Sequence, residues 1–523
     1  MVLAARSAVR SSAVRFARSD AFAIGAIAIL GLLCLQIPFM GDQAVHLLGA
    51  QKLRDGGVLY RDLWDLKQPG IFWFYYAGGR LLGFTNVGIH AFELVCLLGA
   101  ALLIQIVTRP LFDSRRIASL ASLLSVGSYY AAATRWHLTQ IESIVGVPLL
   151  LTLWTSARSI RSPRRVVWLA ASGIAGGLVG LLKLTYLPIV AGFWVFGLAK
   201  PSQLNEDRRM PRALQGATVL TLGFALPLGL AAAHFLRAGL GELLFTTFFV
   251  DPLHVLAAVP PDFGRLAEGL VWLATTFAGL IALSVVGAFH GISRKDSPLA
   301  AGLVLWVIIG LAMVLAQRMW WEFHYVLVLW PLGILGALGI DALWSALGAG
   351  ASSWHAPAPR CALAVALVVA LAPLIGTASL KAIYALEDGL LFGTQHLARY
   401  RRRFAGHRSL VDSVPIDFLR SADSKPGDIF VFGDPTIYWL SGRSQAAAVH
   451  GWSTAGYLDE QWAWLQGDLE RTLPPYVFVR SDLEPQILDR APGIHELLGR
   501  RYMKMADLET AEASSGWWYE RKD

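Results

Sequence analysis

Between residues 20 and 379 the chain is a succession of apolar runs of about bilayer length, separated by short polar breaks. That pattern constrains the fold more than any motif does. In hydrocarbon every backbone N–H and C=O must be paired within the protein, which leaves helices or a closed barrel. Unbroken apolar runs without two-residue alternation specify helices. A crossing takes about 17–25 mostly apolar residues. On that measure spans fall at 20–39, 87–107, 117–133, 141–157, 166–182, 184–199, 213–235, 268–290, 298–316, 323–345 and 361–379, eleven in all. Charged residues make up 16% of the chain, against roughly a quarter in soluble proteins. The net charge of +8 is no nucleic-acid footprint, because the basic residues sit in short clusters between the apolar runs.

Those clusters alternate. Arg109, Arg115 and Arg116 share a side with Arg158, Arg161, Arg164 and Arg165, then with Lys200, Arg208, Arg209 and Arg212, with Arg294 and Lys295, and with Arg360. The same side holds the basic N-terminus 1–19, so the positive-inside rule makes it cytoplasmic. The opposite face receives the loop 40–86, the turn 134–140, the loop 236–267 and residues 317–322. The pair 166–182 and 184–199 is short for two crossings, with Lys183-Leu-Thr-Tyr186 as the bend; a single crossing would put Arg208–Arg212 outside. No small-x-small site follows the first run, so it is expected to remain as an uncleaved span. Cys34, Cys96 and Cys361 lie in apolar runs with no ligand spacing and read as lipid-buried thiols.

Past residue 380 apolar runs shrink to strand length. Asp428–Gly433 and Tyr476–Val479 follow turn residues and read as buried strands. Met503–Leu508 and Trp517–Arg521 are expected to close the sheet, with helices near 410–421, 457–471 and 484–499. The expected organisation is a cytoplasmic N-terminus at 1–19, a transmembrane domain at 20–379 and an external α/β domain at 380–523. Arginine outnumbers lysine and alanine and glycine are heavily used, which points to a GC-rich bacterial genome. The expected location is therefore a bacterial inner membrane, with the C-terminal domain periplasmic or extracellular.

Chemistry concentrates in the first external loop, from Met40-Gly-Asp42-Gln-Ala-Val-His46 to Trp64-Asp-Leu-Lys67-Gln-Pro69. A carboxylate and an ammonium at headgroup depth suit an enzyme that takes a proton and holds a leaving phosphate. Gln43–Arg54 reads as an amphipathic helix on the membrane surface, for which Asp42 would equally serve as N-cap. His46 stands one helical turn from Asp42, within reach of that carboxylate or of a phosphate. Arg135, Arg318 and His324 are further external cations. Each has a plainer reading: Lys67 can snorkel, Arg135-Trp136-His137 and Trp320-Trp321 fit an interfacial belt, and Glu142 suits a helix N-terminus. Lys183 marks the bend, and Arg401-Arg402-Arg403 suits a solvated face.

The loop run Gly57-Val-Leu-Tyr60-Arg-Asp62-Leu-Trp64-Asp65-Leu-Lys67-Gln-Pro69-Gly, with an Asp just after the first span, resembles the GT-C type membrane glycosyltransferases. It is most similar to the protein-mannosyltransferase-like group (glycosyltransferase family 39) and its relative, the lipid A aminoarabinose transferase. Thr139-Gln-Ile-Glu142-Ser, Gly180-Leu-Leu-Lys183-Leu-Thr and His324-Tyr325-Val-Leu-Val-Leu-Trp-Pro331 carry the likeness through most of the membrane part. The resemblance implies an all-α polytopic membrane protein with a small external α/β domain. It implies an inverting transfer of sugar from a polyprenyl-phosphate donor to a lipid, glycan or protein acceptor at the external face. By the same resemblance Asp42 matches the general base, Lys67 the lysine on the carrier phosphate, and Glu142 the second acidic position. His46, Arg135, Arg318, His324 and Tyr325 are grouped with Lys67 as substrate-binding positions. Two departures bear on metal binding: Gln43 stands where relatives often have Glu, and Leu66 where the aminoarabinose transferase has an acid. A divalent metal is therefore left open. The rival readings are a flippase for lipid-linked sugars, which predicts symmetric halves and mid-membrane charges, and a scaffold whose external domain binds a partner.

Overall fold

The computed structural model describes residues 18–112, 114–199, 209–293, 297–349, 357–388, 394–405, 414–505 and 516–523. The basic stretch 1–17, the clusters at 200–208 and 294–296, and the expected segments 410–413 and 506–508 lie outside the described residues. Among the described residues eight helices are long and apolar enough to cross a membrane. They are Asn86–Leu111, Ile141–Arg161, Arg165–Leu182, Ala213–Arg237, Gly241–Ala258, Phe263–Ser293, Pro298–Ala316 and Glu322–Leu347. The pair Cys361–Ala370 and Ala372–Glu387, bent by 64°, makes a ninth if it is one span. The chain is a multi-pass membrane protein of mostly helical build with one small sheet.

Helix occurs at every one of the eleven expected places, but several are not single long rods, the bent eleventh among them. The first, Arg18–Cys34, has 17 residues. The third is assembled from Arg115–Ser122, a π turn at Leu123–Gly127 and Ser128–Ala132. At that turn Gly333 lies against the Ser125 backbone, and the Ser125 hydroxyl donates to the Trp330 carbonyl at 3.0 Å. The sixth follows the break at Lys183, where extended backbone leads through a 3-10 turn at Leu184–Tyr186 into Leu187–Ala199. Close helix pairs are built on glycine: Gly173 faces Gly223 and Gly287 faces Gly339, where an added Cβ would strike the partner's backbone. Small residues let helices approach in lipid, where apolar side chains gain little by leaving their solvent.

Two loops hold more structure than their sequences predicted. The stretch 236–267 contains the apolar helix Gly241–Ala258, with a π turn at Thr246–Val250. Thr247 accepts from Trp64 Nε1 at 3.1 Å, and Asp251 accepts from Gln461 at 3.3 Å. This helix therefore touches both the first loop and the C-terminal region. The first loop itself carries two helices, Asp42–Arg54 and Pro69–Leu82. Pro69 opens the second, where its missing N–H is no loss.

Near the C-terminus, β1 (Phe430–Phe432), β2 (Tyr476–Arg480), β3 (Tyr502–Lys504) and β4 (Gly516–Arg521) form a sheet in the order β1-β2-β4-β3. β1 and β2 are parallel, with Val431 opposite Phe478. β4 runs antiparallel to both β2 and β3. β1 and most of β2 are buried, as strands covered on both faces must be. Helices Val414–Arg420, Asp459–Thr472, Glu484–Arg490 and Pro492–Arg501 surround them. The stretch after β1 leans on the first loop: Trp64 pairs with Val449, and its N–H donates to the Ala448 carbonyl at 2.9 Å.

Candidate active site

Asp42 is the first residue of its helix, not its cap. The cap position is Gly41, at φ 52°, with no side-chain bond closing the helix end. The helix is also no exposed surface element, because every residue from Gln43 to Ala50 is buried. The Gln43 carboxamide anchors it, accepting from the Met40 N–H at 3.0 Å and donating to the Leu138 carbonyl. With its carboxylate released from capping, Asp42 turns it toward Lys67.

Lys67 Nζ lies 3.5 Å from Asp42 Oδ1 and 3.4 Å from Asp65 Oδ2. The lysine is set locally: its own N–H donates to Asp65 Oδ1 at 3.1 Å, and its carbonyl accepts from Tyr60 at 2.9 Å. Tyr60 holds φ 71° to make that reach. The C-terminal region closes the group from above. Trp452 Nε1 donates to Asp42 Oδ1 at 2.8 Å, and His450 Nε2 stands 3.7 Å from Asp65 Oδ2. Asp434 accepts from the Gly41 N–H at 3.4 Å.

Burial alone would raise the Asp42 carboxyl, but Lys67, His46 and the Trp452 hydrogen bond outweigh it and hold it below its usual value. Asp65 is likewise buried, and Lys67 and His450 pull it well down. Lys67 is held above the ordinary lysine value, its burial overcome by the two carboxylates. All three groups are therefore charged at neutral pH, and two anions share one cation.

A second polar group sits at the helix break after Leu182. Glu142 Oε1 accepts from Lys183 Nζ at 2.7 Å and from the Tyr186 hydroxyl at 2.7 Å, with His324 Nε2 at 4.0 Å. It adjoins the first group, since a Cβ on Gly70 would come within 2.6 Å of the Leu181 carbonyl. The field of Glu142 is felt at His46. Beneath it, Glu93 accepts from Tyr129 at 2.8 Å, the Thr139 N–H at 2.9 Å and Ser143 at 2.7 Å. Thr139 is held at φ 53° by that bond and by Tyr75, whose hydroxyl donates to Thr139 Oγ1 at 2.7 Å.

The remaining expected positions divide. His46 is within the group but makes no hydrogen bond there among the described residues. It packs edge-on against Phe72 and Tyr75 with ring centroids 5.5 and 5.2 Å away. Burial first, then Lys67, pulls it down to about 3, so it is neutral. Arg135 lies over Trp136, 5.5 Å from the ring centre, and its charge reaches Asp434. Arg318 does not join: it is exposed, at φ 56°, and donates to the Leu256 carbonyl at 3.3 Å. Tyr325 does not join either, being fully buried against Gly269. Among the described residues no group of three or more His, Cys, Asp or Glu is placed to hold a metal.

The sequence reading passed over Trp452, His450 and Asp434, because nothing in spacing links residue 42 to residues some four hundred positions on. Lys183 and Glu93 did carry a signal. A lone charge in an apolar run must have a partner in lipid, and each has one.

Residues 67–227 match the family model described as dolichyl-phosphate-mannose-protein mannosyltransferase. Among solved structures, ArnT from Cupriavidus metallidurans bound to undecaprenyl phosphate superposes with a TM-score of 0.59 at 15% identity, over 95% of this chain and 97% of that one. The apo state of the same protein gives 0.57 at 15% identity, over 95% and 96%. An oligosaccharyltransferase from Archaeoglobus fulgidus tethered with an acceptor peptide gives 0.51 at 11% identity, over 94% and 74%. No curated protein matches. The resemblance to the GT-C membrane glycosyltransferases is thus borne out, and the fold is theirs.

Proposed function

We propose that the chain is a glycosyltransferase that moves a sugar from a polyprenyl-phosphate carrier onto an acceptor hydroxyl. The observation that carries this reading is the Asp42–Lys67 pair, with its 3.5 Å separation at the mouth of the first loop. A carrier phosphate entering there competes with Asp42 for the ammonium. As Lys67 turns to the phosphate, Asp42 loses its strongest counter-charge and becomes the better base. The acceptor O–H gives its proton to Asp42, and its oxygen bonds to the anomeric carbon. The bond from that carbon to the phosphate oxygen breaks, and the electron pair leaves on the polyprenyl phosphate beside Lys67. Attack opposite the leaving group inverts the sugar. A cation held where the charge develops supplies a large share of such a rate gain.

Glu142, expected as the second acidic position of the site, acts here through its partners. Its carboxylate is taken up by Lys183 and Tyr186, so it holds a second cation in place for the phosphate. The family match and the ArnT fold support a lipid-phosphate donor. The alternation of basic breaks supports a reaction on the external face of a bacterial inner membrane. The division at residue 380, with the sheet domain on that face, is part of the same proposal. Lipid, glycan and protein acceptors are all compatible with this chemistry.

The test is transfer of labelled sugar from undecaprenyl-phosphate donors by purified protein in nanodiscs. Asp42→Asn should lower kcat by about 10²–10⁴-fold in a protein that remains folded. Full transfer by that variant would remove the proposal. A flippase would instead move intact labelled carrier across vesicles with no bond broken.

A further inference from the structure

A cavity lies apart from the Asp42–Lys67 group. It is a cleft of about 670 Å³ between the C-terminal half of the Asp42–Arg54 helix, the turn after it, and the sheet domain. Five basic and four acidic side chains line it, so its charge is nearly balanced. Several are already matched: Arg54 with Asp55 at 2.8 Å, Arg61 with Asp62 at 3.0 Å, and Arg471 with Asp468 at 2.7 Å. A wall that neutralises itself in this way is no trap for a phosphate or a polyanion.

Other side chains in the wall keep hydrogen-bonding capacity, although the field of Lys52 reaches Asp55 and Asp62. Gln51 and Lys52 make no side-chain hydrogen bond or ion pair among the described residues. Gln445 donates to the Ala447 carbonyl at 2.7 Å and, among the described residues, its Oε1 has no partner. The half-buried indole of Trp439 adds an apolar face. An ammonium, carboxamides and an aromatic plane in one near-neutral cleft match a ligand whose groups both donate and accept. Hydroxyls do so, and a saccharide carries many on an apolar ring.

Both walls lead to the reacting group. Asp42 and Lys52 sit on one helix, about 15 Å apart along its axis at 1.5 Å per residue. The other wall is a single strand of chain. Ala448 lines the cleft and holds Trp64 at 2.9 Å. Two residues on, His450 faces Asp65 at 3.7 Å, and two further Trp452 bonds Asp42 at 2.8 Å.

We infer that this cleft is a saccharide subsite, which holds sugars of an oligosaccharide acceptor remote from the hydroxyl presented to Asp42. The inference rests on the glycosyltransferase reading above and names the acceptor class. Full-length protein in nanodiscs, applied to an array of bacterial envelope oligosaccharides, tests it, with phosphatidylglycerol vesicles as a separate probe. Wild type and Asp42→Asn should retain the same oligosaccharide. The double variant Gln51→Ala/Lys52→Ala, at two half-exposed helix positions, should hold it about tenfold more weakly. In transfer assays the double variant should raise the acceptor KM and leave kcat unchanged, the mark of lost uniform binding. Retention of no oligosaccharide, equal retention by the double variant, or binding of vesicles alone overturns the inference. If the oligosaccharide is retained as expected yet wild type transfers no sugar, the saccharide subsite stands and the transferase reading falls.

Discussion

At the scale of single residues, the central fact is two carboxylates around one ammonium. Removing the ammonium strands both. Lys67→Met should cost about 3–5 kcal/mol of stability, the usual result of leaving partly buried charges uncompensated, and thermal unfolding in detergent reads it. Lys67→Arg keeps the charge and should restore most of the stability. The pH dependence follows from the shifts. Asp42 and Asp65 are depressed, so their contribution is complete above about pH 4 and is lost as pH falls through their folded values. Lys67 is raised, so its contribution is complete below about pH 10 and disappears as pH climbs through its folded value. His46, held down to about 3, and His137, also about 3, bind protons more readily when unfolded. Through these two histidines stability begins to fall below about pH 6.5, before Asp42 or Asp65 titrates. His46→Phe should flatten the slope of unfolding free energy between about pH 4 and 6; an unaltered slope would mean the imidazole is not buried neutral.

At the scale of elements, the site depends on two strained turns. Gly41 needs its positive φ, and an added Cβ would collide with the Trp452 ring. Gly41→Ala should cost about 1–2 kcal/mol in backbone strain and push Trp452 off Asp42. A drop in transfer with the Asp42 carboxylate still present would register that displacement. The 134–140 turn is held from within the membrane by Glu93. Glu93→Leu abandons three donors and should cost about 3 kcal/mol or more, seen as a lower Tm and a weaker Glu142–Lys183 group. These turns also mark where the sequence stopped being legible. Asp42, Lys67 and Glu142 stood out because charges are rare at a lipid boundary. The spans stood out because hydrocarbon enforces helix. The helix at Gly241–Ala258 did not, because its apolar character is modest and its Thr247 and Asp251 find partners only in the folded chain. The π turn at Leu123–Gly127 reads as plain helix and exists for its packing against Gly333.

For the whole molecule, the membrane bundle and the C-terminal region share the site rather than flank it. Tyr400 donates to the Leu33 carbonyl at 2.5 Å, and Arg401 to Gln36 at 2.8 Å. Lys381, buried in the bent last helix pair, caps the carbonyls of Tyr130, Ala131 and Ala133 at 2.6, 3.1 and 2.6 Å. A chain ending at residue 405 keeps these ties but loses Trp452, His450 and Asp434. It is expected to insert and fold its helices, by far-UV circular dichroism, yet transfer no sugar. Normal transfer by that truncation would make the upper half of the site dispensable. Sequence alone could place β1, β2 and β4 to within a residue or two, but not the end of β3, nor the way the loop after β1 reaches the first loop.

The hydrogen bond from residue 452 to residue 42 also orders events in the life of the polypeptide. Translation delivers Asp42 and Lys67 first, and the indole that completes their surroundings emerges 410 residues after Asp42. On the proposed reading, a nascent or interrupted chain stays inert toward the carrier lipid until the stretch that bears Asp434, His450 and Trp452 has been exported and has closed over the site.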